Sequence, residues 1–78
     1  MSVEDRVRAL VAERVPDPAA VTRESDLERD LGAIWLDKLG IVMAVEDAFG
    51  VDIADEDVDG LKTVGQIIDY VEKKLVVN

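Results

Sequence analysis

A chain of 78 residues without cysteine has room for one small core and no disulfide to brace it, so residues 1–78 are read as a single domain held by packing alone. Hydrophobic residues make up 49% of the sequence and aromatics only 4%, a balance that points to an aliphatic core of the kind small helices build. The formal charge of −9, from 18 acidic and 9 basic residues with no His, opposes nucleic acid and anionic membranes and favours basic protein partners.

The predicted elements are helical. Ser2 is placed to cap a first helix, with Asp5 three residues on, and Val3, Val7, Leu10 and Val11 then recur at helical spacing. Pro16 and Pro18 cannot continue that helix, so it is expected to stop at Val15. From Pro16 to about Ala33 the sequence is polar and irregular, with Val21, Leu27 and Leu31 as the points that tie a long loop to the bundle. A second helix is predicted from about Trp35 to Phe49, closed by a left-handed Gly50. Val51 and Ile53 form a short extended link into Asp55, Glu56, Asp57 and Asp59, which carry one helical turn before Gly60. Thr63 and Gln66 make a capping box for the last helix, whose apolar face is Val64, Ile67, Ile68, Val71 and Leu75 and whose end carries Lys73 and Lys74. The expectation is an all-α four-helix bundle, with three main helices, one short helix and a long first loop.

The second helix carries two apolar stripes. Ile41, Val45 and Phe49 form one, and Leu36, Leu39 and Met43 form another on a different side. Either the helix is central and buries both, or the second stripe is left for a partner. No basic region followed by an apolar stretch opens the chain, and no segment approaches the length of a membrane span. A cytoplasmic protein with no membrane association is expected.

The run Asp30-Leu31-Gly32-Ala33-Ile34-Trp35-Leu36-Asp37 resembles the acyl carrier protein family, whose motif reads Asp-Leu-Gly-x-Asp-Ser-Leu-Asp. Residues 39–53 resemble that family's second helix and the link after it, and residues 63–71 its last helix. The resemblance implies a four-helix bundle of acyl carrier protein type. It also implies a serine at the start of the second helix that accepts phosphopantetheine from coenzyme A, and partners such as the carrier transferase and ketoacyl synthases. Here Trp35 stands at the serine position and Ile34 at the preceding Asp. Indole has an N–H donor and no hydroxyl nucleophile, so phosphopantetheine is not expected and no cofactor-binding residue is assigned. Lys38 puts a positive charge on a face the family keeps acidic or neutral, and Gly40 replaces a common Glu while losing roughly 1 kcal/mol of helix propensity relative to Ala.

The expected function is therefore that of an acyl carrier protein-like, non-catalytic protein of fatty-acid or polyketide-type biosynthesis that acts by docking. The partner-binding candidates are Ile34, Trp35, Leu36, Asp37, Leu39, Met43, Glu46 and Asp47, facing synthases or regulatory enzymes, or a second copy through Ile34, Trp35 and Leu36. Trp35 has three possible placements: outward as an interface anchor, folded back on Leu39 or the first loop, or filling the space between helices where the family shelters its acyl chain. One alternative is an otherwise ordinary acyl carrier protein whose Asp-Ser pair has been changed to Ile34-Trp35. Another is a small acidic divalent-cation module, since Asp55, Asp57, Asp59 and Gly60 match the opening of a calcium loop of the EF-hand type. That match breaks at Lys62 and Gln66, so no metal ligand is assigned beyond Asp55, Asp57 and Asp59 as candidates. With no His or Cys and with its carboxylates in solvated runs, the chain shows no catalytic constellation.

Overall fold

The computed structural model describes residues 2–76. Four α-helices follow one another along the chain: α1 (Val3–Ala12), α2 (Trp35–Phe49), α3 (Asp55–Val58) and α4 (Val64–Leu75). A 3-10 turn at Pro18–Ala20 lies in the first loop. Among the described residues the only β-type pairing is an isolated antiparallel bridge between Asp26 and Thr63.

The helix ends follow local chemistry. Ser2 Oγ accepts the Asp5 amide at 3.1 Å and opens α1. That helix closes at Ala12, three residues before the expected stop at Val15. Arg14 N–H bonds to the Val11 carbonyl at 3.0 Å, so the last turn tightens, and Pro16 keeps the residue before it out of the helical region. Gly50 ends α2 at φ 64°, a left-handed cap that favours glycine. Thr63 Oγ1 accepts the Gln66 amide at 3.2 Å and Gln66 Oε1 accepts the Thr63 amide at 3.0 Å, the capping box read from sequence.

The core is aliphatic, as the composition requires. Val7 and Val11 from α1, Ile41 and Val45 from α2, and Val64, Ile67, Ile68 and Val71 from α4 are almost completely buried. Leu27, Leu31 and Val21 from the first loop join them. Leu75 does not: at the C-terminal end of α4 it is 46% exposed, so the core face of that helix stops at Val71. Phe49 is half-buried and packs under the Arg6 guanidinium, 4.6 Å from ring centre to Cζ.

The first loop is clasped by backbone as well as by side chains. Leu27 N–H donates to the Lys62 carbonyl at 2.9 Å, Val64 N–H to Ser25 at 3.1 Å and Gly65 N–H to Arg23 at 2.8 Å. Arg23 also reaches Glu4 on α1 and Asp69 on α4, each at 2.9 Å. Both carboxylates hold its guanidinium charged and raise its pKa. The segment of the loop before α4 is thereby fixed to both outer helices, and this positions residues 26–34 ahead of α2.

Candidate functional site

The turn that delivers the chain into α2 is built by two carboxylates. Asp26 Oδ1 accepts the amides of Glu28 and Arg29 at 3.0 and 2.8 Å, and Asp30 Oδ2 accepts the Asp26 amide at 2.7 Å. That amide, with the Arg29 side chain at 3.4 Å, holds the Asp30 carboxyl below its usual pKa. Gly32 follows at φ 69°, a left-handed bend that a side chain would strain. Ala33 N–H then closes the turn on the Leu27 carbonyl at 2.8 Å.

Trp35 is the first residue of α2 and Ile34 its N-cap. Asp37 Oδ2 accepts the Ile34 amide at 3.1 Å. Ile34 has no polar atom with which to return the bond, so the first-turn amides of α2 have no side-chain cap. Ile34, Trp35 and Leu36 are 62%, 54% and 71% exposed, three consecutive large apolar side chains on the surface. The indole therefore neither fills the space between the helices nor buries itself on Leu39. It forms one wall of a surface cleft of about 520 Å³, together with Leu27, Ala33, Ile34 and Leu61. Lys38 Nζ stands 5.8 Å from the indole centre, within cation–π range.

Charge at this cleft is balanced. Arg29, Lys38 and Lys62 line it on the basic side and Asp26, Glu28 and Asp59 on the acidic side. Of these, only the Trp35 neighbourhood was expected from sequence. Glu28 comes from one chain segment and Asp59 and Lys62 from another, brought together when the loop is clasped to the start of α4.

The other candidates divide. Met43 is 64% exposed and Asp47 is also at the surface, on the side of α2 away from the buried Ile41 and Val45. Leu39 is half-buried. Glu46, another docking candidate, is half-buried, and its Oε2 accepts the Ile53 amide at 2.9 Å, which pins the link after α2 to that helix. Asp37 is likewise committed to the helix start.

Asp55, Asp57 and Asp59 do not form a cation loop. Asp55 and Asp57 are wound into α3 and Asp59 is its C-cap. Asp57 accepts the Tyr70 hydroxyl at 2.8 Å, and Gln66 is used by Lys62 and Thr63. Among the described residues no group of three or more Asp or Glu side chains converges on a metal-sized point. Partial burial, followed by the Asp57 bond, raises the Tyr70 pKa above its usual value.

A small helical bundle with a long ordered loop leading into its second helix defines a carrier-type domain. The model of the family described as the phosphopantetheine attachment site matches residues 5–71 of the chain. The chain belongs to that family and is an acyl carrier-type protein, as the motif resemblance implied. No described helix is long and apolar enough to cross a membrane.

Proposed function

We propose that this acyl carrier-type protein bears no phosphopantetheine arm and acts by docking to proteins of fatty-acid or polyketide-type assembly, as a single non-catalytic domain. The observation that carries this reading is Trp35 at the first position of α2, where the motif resemblance places the family's modified serine. Attachment needs a hydroxyl that attacks phosphorus, and indole has none. The residues at this position therefore do not fit the group, and no step is derived through it.

The remaining hydroxyls are committed elsewhere. Ser2 caps α1 and Thr63 caps α4. Thr22 and Ser25 bond each other at 3.1 Å, and Ser25 also donates to the Ala20 carbonyl at 2.9 Å. Tyr70 bonds Asp57. The chain has no other Ser, Thr or Tyr. Docking is supported by the exposed Ile34, Trp35 and Leu36, because clustered large apolar side chains with a Trp among them are what interface cores are made of.

Intact mass after incubation with coenzyme A and a broad-specificity phosphopantetheinyl transferase tests the loss of attachment. The unaltered chain is expected to stay at its own mass, and the Ile34→Asp, Trp35→Ser double variant to gain the arm. Modification of the unaltered chain would overturn the reading.

A further inference from the structure

The cleft at the start of α2 differs from the rest of the molecule in charge. It is lined by three basic and three acidic side chains, in a chain of 9 basic and 18 acidic residues. The whole net charge of −9 therefore lies elsewhere on the chain. Ile34 and Trp35 line this neutral cleft and, with Leu36 next to them, are exposed, whereas the lining residues Leu27 and Leu61 are only 2% and 5% exposed. An exposed apolar cluster and both signs of charge thus share one face.

We propose that this face pairs with a second copy of the chain about a two-fold axis. An isologous contact places a patch against its own image, so the patch must be self-complementary. A face of one sign would repel its image, whereas one carrying Lys38 and Lys62 beside Glu28 and Asp59 can set each charge against its opposite. The exposed apolar clusters of the two copies then meet across the axis, removing Ile34, Trp35 and Leu36 from water. The pairing uses the apolar side chains that the proposed function assigns to docking, so a second copy and another partner would compete for them, and it does not depend on the attachment chemistry.

The sign of the salt effect separates a second copy from a basic partner. Two copies of a −9 chain repel over distances comparable to the Debye length, about 10 Å at 0.1 M salt and about 3 Å at 1 M. Salt screens that repulsion and leaves the close apolar contact, so self-pairing tightens as salt is added. Docking of a basic protein on an acidic one weakens instead.

Sedimentation equilibrium of the intact chain from about 10 μM to about 1 mM, at low and high salt, tests the proposal, with emission of the sole Trp as a second readout. The average mass is expected to rise from 8.6 kDa toward twice that value, further at high salt, with Trp35 emission shifting to the blue as dimer forms. Leu36→Asp puts a charge into the contact at a helix N-terminus that tolerates it, and should weaken pairing at least about tenfold, roughly the effect of 1.4 kcal/mol. Val76→Asp, 74% exposed at the end of α4 and outside the cleft lining, should leave it unchanged. Monomer mass throughout, association that weakens with salt, or equal loss from both variants would overturn the pairing. Those results leave the mass experiment on Trp35 untouched, and modification of the unaltered chain would leave the pairing standing, so the two readings fail separately.

Discussion

Gly40→Ala and Gly65→Ala should move stability in opposite directions, although both glycines lie within helices. Alanine gains up to about 1 kcal/mol of helix propensity over glycine. At position 40 a new Cβ would lie 3.4 Å from Arg14 Nε and 3.6 Å from its Cδ, the outer part of a flexible side chain that can turn aside. The propensity gain should survive, giving stabilisation of up to about 1 kcal/mol. At position 65 the Cβ would meet the Arg23 carbonyl oxygen at 3.0 Å. That oxygen accepts the Gly65 amide at 2.8 Å and belongs to a segment held by neighbouring backbone bonds. It cannot swing away, so the loop or the helix start must shift, and overpacking of this kind costs about 1–3 kcal/mol. Gly65 is also only the second residue of α4, where propensity counts for less. The net expectation is destabilisation by about 1–2 kcal/mol. At about 4–8 °C per kcal/mol for a domain of this size, thermal unfolding followed by far-UV circular dichroism resolves both shifts. A Gly65→Ala protein that melts at or above the parent temperature would refute the argument that the Arg23 carbonyl is fixed.

Two further expectations concern the fold around the site. Glu46→Ala strands the amide of Ile53, a residue only 5% exposed, and should cost about 1–3 kcal/mol in urea unfolding, while Glu46→Gln keeps an acceptor and should cost less; a residue used only for docking would change neither midpoint. Stability should also fall at both ends of the pH scale. Tyr70 has its folded pKa raised, so its contribution is present below the ordinary phenol value of about 10 and is lost as pH rises through the folded value. The tyrosinate absorbance of the sole Tyr should report a high midpoint, and Tyr70→Phe should flatten the alkaline limb. Asp30 has its folded pKa lowered, so its contribution is present above the ordinary carboxyl value and is lost as pH falls through the folded one, and Asp30→Asn should reduce the acid loss.

The legible parts of the fold were those written in side chains along a continuous segment. Gly50 and the Thr63–Gln66 pair announced the ends of α2 and the start of α4 because a cap is a local bond. Val21, Leu27 and Leu31 stood out as apolar points in a polar loop, and each is buried. The clasp between residues 23–27 and 62–65 left no such mark, since it is made of backbone N–H and C=O groups that every residue carries. Glu46 illustrates the same limit at the site. Its place on the helix read as an outward acidic residue, but its partner is an amide seven positions later, a contact set by how the link folds back. The exposure of Trp35 was one of three placements that its position at a loop-to-helix junction left open, and the cleft it lines is assembled from three chain segments and has no pattern in any one of them.

The Asp26–Thr63 bridge joins points separated by nearly half the chain. Helical bundles fold quickly because most of their contacts are local, and a bridge of this span obliges the chain to close a long loop before its bonds can form. The start of α2 is therefore expected to gain its native support only once α4 is in place. The encounter of two irregular segments then becomes a step that hydrogen exchange can follow, with the amides of Leu27, Val64 and Gly65 as its sentinels.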